Sequence, residues 1–394
     1  MNNTGTDTPP EALRASMIEH IKQAGHARRG AVEQVMREVP RHRFVPAATV
    51  EDAYANMAVI TKRAGDGSAL SCASVPTVVA MQLDQLDVQP GNRILEIGAG
   101  TGYNAALLAR LTGPTGEVTT VDIDDEVTAG AREALDDNGF PQVQVITRDG
   151  SLGAAEHAPY DRIILTVGAF DLPPAWWSQL APGGRLVVPL RWRGQTRSVA
   201  FVREGDRLRS DSVHLCGFVP MIGHDTELSG QLDPDGLVNL YWDGDQDITL
   251  DTLIGVLTRP KTSVWSGVTV GSTEPFDGVW LRMTAAESGT CRIAVDRAAV
   301  DAGLATPAIP SRSPALAEGD SLAYFTFRRL KDDAERRSEL GAIGHGPAGA
   351  ALAERLSDQI RAWGAARMTE PILTVYPIDT RNQQLGAARA IDKR

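Results

Sequence analysis

Arg93-Ile94-Leu95-Glu96-Ile97-Gly98-Ala99-Gly100-Thr101-Gly102-Tyr103 is the stretch that decides the fold of this 394-residue chain. Arg93–Ile97 has the composition of a short strand and runs straight into three alternate glycines, and an apolar pattern of helical spacing begins at Tyr103. Glycine adopts backbone angles closed to other residues and lets a ligand approach the chain, so it suits a tight strand-to-helix turn. The alternation continues outward from this turn. Val75–Leu86 precedes it as a helix, and Tyr103–Leu111 and Glu126–Asn138 follow as helices, with another helical stretch around Pro174–Leu180. Glu117–Val121, Val143–Ile146, Arg162–Val167 and Arg185–Val188 read as strands. Strands alternating with helices require right-handed crossovers, which predicts an α/β, Rossmann-like domain with a parallel sheet.

Three acids mark the ends of successive strands. Glu96 stands two positions before Gly98, Asp122 follows Gly102 by twenty residues, and Asp149 sits in Arg148-Asp149-Gly150. A dinucleotide site would show GxGxxG and place pyrophosphate at the helix start. Here the glycines alternate, no basic residue is close, and Glu96 would repel a pyrophosphate. The same acid suits the cationic amino-acid end of S-adenosylmethionine (SAM), while Asp122 suits a pair of ribose hydroxyls and Asp149 an adenine amino group. The residues expected at the cofactor are therefore Glu96, Gly98, Gly100, Thr101, Gly102, Asp122, Asp149 and Gly150. An ordinary glycine turn and a nucleotide site are the competing readings.

The rest of the chain frames this domain. Residues 1–12 read as a disordered polar tail, and Glu11–Val39 as two helices broken at Gly25 and Gly30. The catalytic domain is expected over 13–222. No Lys or Arg occurs between Asp211 and Thr258, so 223–250 reads as an acidic linker. Residues 251–394 read as a C-terminal α+β domain, with β-rich runs at Ser263–Val270, Val279–Thr284, Cys291–Val295 and Leu322–Arg328, a helix at Ala348–Trp363, a strand at Ile372–Pro377 and a polar tail.

Thirty-nine Lys and Arg against 50 Asp and Glu give a net charge of −11, which argues against nucleic acid as a partner. The three cysteines, Cys72, Cys216 and Cys291, lie far apart without a CxxC or a local His cluster, so neither a metal site nor a disulfide framework is expected. The first residues lack the basic and apolar regions of a signal peptide, and no apolar run approaches the roughly 20 residues that span a bilayer. A cytoplasmic protein without a membrane partner is the expectation.

Several motifs together resemble the protein-L-isoaspartate O-methyltransferase family. They are Val39-Pro-Arg-His-Arg-Phe-Val-Pro46, Ala53-Tyr54, Leu95–Tyr103, Arg148–Gly150, Ala158–Thr166, Gly183–Pro189 and Phe218-Val-Pro-Met221. The resemblance runs from about residue 30 to 222 and implies a SAM-dependent enzyme that methylates a peptide carboxylate. It also implies a functional serine: the family's TISQP segment corresponds to Leu70-Ser71-Cys72-Ala73-Ser74-Val75-Pro76, which aligns Ser74, with Ser71 as the other register. Helix N-cap is the plainer role for Ser74. Repair enzymes of the family end near the closing motif, whereas this chain continues for about 170 residues. That extension resembles variants that tailor ribosomally made peptides, which implies methylation of an Asp in a modified precursor peptide and leads to aspartimide or isoaspartate. The alternative is repair of L-isoaspartyl residues in damaged proteins, and a non-enzymatic SAM-binding escort is a third reading.

Other residues carry lesser expectations. His42 reads as structural. Lys62 and Arg63 lie in a loop, either solvated or steering an acidic peptide. Arg191, Arg193 and Arg197 with Trp192 and Gln195 form a basic-aromatic stretch, fit for a peptide or an edge strand. Trp176 and Trp177 are expected to anchor a helix, and Cys72 to pack as a small residue.

Overall fold

The computed structural model describes residues 8–224, 226–331 and 336–377. They divide into two compact units: 8–190, 196–224 and 372–377 form the first, and 191–195, 226–331 and 336–371 the second.

The first unit opens on α1 (Pro10–Gln23) and α2 (Gly30–Glu38). Pro10 occupies the first turn of α1, where a missing N–H costs nothing, so the helix begins inside the expected tail. Residues 1–7 of that tail lie outside the described residues. Met17, Ile18 and Ile21 of α1 and Val32, Val35 and Met36 of α2 are buried in one apolar cluster. A 3-10 turn, Arg41–Phe44, and the short α3 (Val50–Tyr54) follow. Next comes an antiparallel hairpin of β1 (Val59–Arg63) and β2 (Ala69–Ala73), then α4 (Pro76–Leu86).

The alternation then unfolds as expected: β3 (Arg93–Ile97), α5 (Tyr103–Thr112), β4 (Glu117–Asp122), α6 (Asp125–Asp137), β5 (Gln144–Thr147), β6 (Tyr160–Leu165), α7 (Pro174–Gln179), β7 (Leu180–Trp192), β8 (Gln195–Glu204) and β9 (Arg207–Leu215). In space the strands run β9-β8-β7-β6-β3-β4-β5. β3 pairs in parallel with both β4 and β6. The chain leaves β3 toward β5 on one side and returns to β6 on the other. This switch of direction opens a crevice at the carboxyl ends of β3 and β6, the usual ligand site of such sheets. Because helices cover both faces, the central strand is apolar past Arg93 except at Glu96, the one charged residue buried in β3, between Leu95 and Ile97.

The second unit is a seven-stranded antiparallel sheet. It contains β10 (Glu227–Gln231), β11 (Val238–Asp243), β12 (Lys261–Val270), β13 (Thr290–Val295), β14 (Ser313–Glu318), β15 (Ser321–Arg329) and β16 (Ser338–His345), in the order β10-β11-β13-β14-β15-β16-β12. The helix at Gly349–Ala365 packs on β12, β15 and β16 through Leu352, Leu356, Ile360 and Trp363.

Three expectations for this half are corrected. The acidic segment 223–250 is not a linker, since it supplies β10 and β11. Its acids are engaged: Glu227 pairs with Arg292, Asp243 and Asp245 pair with Arg193, and Asp233 accepts from the amides of Asp235, Leu237 and Val238. Val279–Thr284 is helical within Gly278–Ala286, because Val279, Trp280 and Met283 bury one helical face. Of Ile372–Pro377 only Thr374–Val375 is a strand, and it pairs with β9 of the first unit rather than with the C-terminal sheet. The polar tail 378–394 lies outside the described residues.

Candidate active site

The crevice at the carboxyl ends of β3, β4 and β6 is an open cleft. Its walls bring together Gly98, Gly100, Asp122, Asp149 and Gly150 with Ser71, Thr166 and Met221. A second, smaller cavity adjoins it, sharing Cys72, Gly98, Gly100 and Thr166, and adds Ser74, Glu96, Thr101, Tyr103 and Asn104. Ser74 and every residue expected at the cofactor line one of the two, except Gly102.

The glycines have distinct reasons. Gly98 has φ +101°, and a Cβ there would fall 2.4 Å from Thr166 Oγ1, whose hydroxyl donates to the Gly98 carbonyl. Gly102 is the N-cap of α5 with φ +79°; a Cβ would crowd Ala131 O and Leu135 Cγ at 3.1 Å. The first keeps the cleft floor open, and the second lets α5 pack on α6.

Each acid is held by donors. Glu96 is fully buried; its Oε1 accepts from Asn104 Nδ2 at 2.8 Å and its Oε2 from Thr120 Oγ1 at 2.6 Å. Burial pushes its pKa up to about 7, against the pull of these two hydrogen bonds. Asp122 is half-buried, and its oxygens accept from the amides of Gly100 at 3.3 Å and Asp124 at 3.2 Å. Burial raises its pKa as well. A carboxylate oxygen has two lone pairs, so both oxygens retain acceptor capacity toward a ligand. Asp149 caps the turn Gly150–Leu152 by accepting from Ser151 N at 2.9 Å, and His224 Nε2 lies 3.4 Å away. Burial works to raise the Asp149 pKa, but the Ser151 and His224 bonds outweigh it and leave it lowered.

Ser74 is not the cap of α4. The cap position belongs to Val75, whose side chain cannot accept, and Pro76 begins the helix without needing a donor partner. Ser74 lines the smaller cavity, and its side chain is hydrogen-bonded to Cys72. Ser71, the other register, is buried and lines the larger cleft.

Several contributors escape the sequence reading. Asn104 and Thr120 fix Glu96; the first lies one helical position beyond Tyr103, the second inside β4 with its side chain toward β3. Met221 and the half-exposed Ile222 reach the cleft because the Gly168 amide and carbonyl bond to Val219 O and Met221 N. Ile123, also about half exposed, follows Asp122 on the same wall. Trp176 holds the floor by donating Nε1–H to the Gly150 carbonyl at 2.8 Å, while Trp177 is only partly buried.

The remaining candidates resolve as structural. His42 Nδ1 meets the Tyr54 hydroxyl at 2.8 Å. Lys62 is partly exposed but already paired, since Asp124 and Glu126 each lie 2.6 Å from its Nζ. Arg193 is paired with Asp243 and Asp245, and Arg197 is buried, so the basic stretch is not an open peptide surface. Cys72 is half-buried, and burial raises its thiol pKa. Among the described residues no group of three or more potential metal ligands occurs, and no helix is long and apolar enough to cross a membrane.

A cleft with a glycine floor, apolar lips and spaced carboxylates fits the chemistry of SAM, a ligand that is part ribose, part flat base and part cationic amino acid. Bound, it supplies a methyl group on a positively charged sulfur.

The comparisons agree. The sequence profile described as protein-L-isoaspartate(D-aspartate) O-methyltransferase matches residues 12–226. A protein-L-isoaspartate O-methyltransferase of Methanopyrus kandleri is 37% identical over 214 residues, covering 54% of this chain and 92% of that protein. One of Methanoregula boonei is 38% identical over 219 residues, covering 55% and 96%. A solved structure bearing the same name superposes with a TM-score of 0.51 at 19% identity, covering 92% of this chain and 96% of its own. The fold, the cleft and these matches have one meaning: the chain belongs to the protein-L-isoaspartate O-methyltransferase family, and is a SAM-dependent carboxyl O-methyltransferase acting on Asp or isoAsp side-chain carboxylates.

Proposed function

We propose that the protein methylates the side-chain carboxylate of L-isoaspartyl residues in damaged proteins, the repair reading. The observation that carries it is the match of residues 12–226 to enzymes named for that substrate. The tailoring reading rested on the long extension. A solved structure named for the repair substrate covers 92% of this chain, so an extension of this length does not favour tailoring over repair.

In this reading Asp122 accepts from ribose hydroxyls, Asp149 from the adenine amino group, and Glu96 faces the amino-acid end through its bonded pair Asn104 and Thr120. The glycines Gly98, Gly100, Gly102 and Gly150, with Thr101, shape the floor. Ser74 donates its hydroxyl to one oxygen of the substrate carboxylate and leaves the other free to attack. A carboxylate with a reference pKa near 3.9 is ionised at pH 7, so no residue need remove a proton. The chain's task is alignment and exclusion of water, which can be worth up to about 7–11 kcal/mol in favourable cases.

The test is methyl-ester formation on a short isoAsp peptide and on its ordinary Asp counterpart, linear and cyclised. Turnover of the isoAsp peptide alone is the expected result. Methylation confined to the cyclised Asp peptide would overturn the repair reading in favour of tailoring.

A further inference from the structure

Arg41 is wholly buried and has no carboxylate partner among the described residues. Its Nε donates to Ala53 O at 2.8 Å, and its Nη2 donates to both Ala73 O at 3.1 Å and Ser74 O at 2.8 Å. The guanidinium carbon lies 5.2 Å from the centroid of the Tyr103 ring. Nη1 makes no hydrogen bond. The ionisable groups that act on it are Tyr103, Cys72 and Tyr54, all neutral near pH 7, and burial lowers its pKa. An arginine nevertheless stays charged in a protein. A buried charge without a counter-charge is costly, and proteins ordinarily pair it.

Two of the three carbonyls held by Arg41, those of Ala73 and Ser74, belong to the segment that lines the smaller cavity. Ala73, Ser74 and Tyr103 all line it, and Glu96 of the same lining is bonded to Asn104 and Thr120 rather than to Arg41. Behind this lining thus stands a fixed cation with no carboxylate partner among the described residues, bonded to the carbonyl of the serine expected to meet an anionic substrate.

We propose that Arg41 is a positioning residue for the acceptor carboxylate: its forked bonds fix Ala73 and Ser74, and its buried charge is the counter-charge that the substrate carboxylate completes. This rests on the carboxylate-methylating reading above and deepens it. The charge acts through the Ala73–Ser74 segment and needs no direct contact with substrate. It makes the site selective for an anionic side chain over a neutral one of the same shape.

The experiment compares wild type, Arg41→Lys and Arg41→Gln, each loaded with S-adenosylhomocysteine. Calorimetry measures binding of an isoAsp peptide and of the same peptide with that carboxyl as a carboxamide. Wild type is expected to prefer the carboxylate by at least about tenfold, the size of a charge-assisted hydrogen bond. Arg41→Gln should lose that preference while its S-adenosylhomocysteine affinity stays within about threefold. Arg41→Lys should keep most of the preference and raise KM less than it lowers kcat, since the charge remains but the fork is lost. Should Arg41→Gln fail to fold, Arg41→Lys decides. Undiminished preference in folded Arg41→Gln, or its loss in Arg41→Lys with cofactor affinity intact, would overturn the proposal. Failure of wild type to methylate the isoAsp peptide would instead defeat the repair reading, and the same comparison would then be made with the Asp peptide that it does methylate.

Discussion

Lys62 Nζ lies 2.6 Å from Asp124 Oδ2, so the hairpin β1–β2 is tied to the cap of α6. The same Asp124 carboxylate accepts from the amides of Glu126 and Val127 through Oδ1. One side chain therefore starts the helix after Asp122 and anchors the hairpin whose Leu70, Ser71 and Cys72 line the cleft. The ion pair raises the Lys62 pKa and lowers that of Asp124, which keeps both groups charged across the ordinary pH range.

Lys62→Ala should free the hairpin from α6. The expected result is a roughly two- to fivefold loss of S-adenosylhomocysteine affinity, in the range of exposed ion pairs. The wild-type affinity should fall with added salt more steeply than that of the variant. Calorimetry at two salt concentrations checks both statements. Equal salt dependence in the two proteins would show that the pair does not act on the cleft.

Ser74→Ala should lower kcat on an isoAsp peptide by about ten- to a hundredfold, the range for a lost hydrogen bond to a charged group. Because Val75 and not Ser74 occupies the cap of α4, the melting temperature should change little. A melting temperature several degrees lower, with kcat preserved, would return Ser74 to a purely local role. Steady-state kinetics beside a thermal melt separates the two.

Glu96 gives a pH signature. Its folded pKa of about 7 lies above the ordinary glutamate value near 4.3, so the folded state holds the proton more tightly than the unfolded chain. The contribution of this group therefore favours the folded state at pH 4 and weakens as pH rises toward 7, then stays constant. Glu96→Gln cannot titrate, so the difference in melting temperature between pH 5 and pH 8 should shrink by several degrees. Cofactor affinity should drop about tenfold or more in the same variant, if the acid faces a cationic ligand group. Thermal melts across that pH range, with and without S-adenosylhomocysteine, provide the check.

The reach of the sequence is clearest at the strand-to-helix turn. Alternate glycines after an apolar strand leave few conformations, and the acids at 96, 122 and 149 fall at strand ends because the strand–helix period is regular. The parallel sheet, the cleft floor and the carboxylates at its edge were all legible there. The acidic run before Arg259 misled because composition reports charge and not pairing: Arg193 and Arg292 answer those acids from elsewhere in the chain. Val279–Thr284 misled because a short apolar run fits a strand or a helix until packing chooses.

Local patterning along the chain thus determined the α/β class and the place of the glycine-floored cleft. Long-range partners were decided only in the folded molecule. Glu96 needed Thr120 and Asn104, Lys62 needed Asp124, and Arg41 needed the carbonyls of Ala53, Ala73 and Ser74. The reason is that backbone periodicity is a property of neighbours in sequence, whereas desolvation and hydrogen-bond satisfaction depend on which distant atoms share an interior.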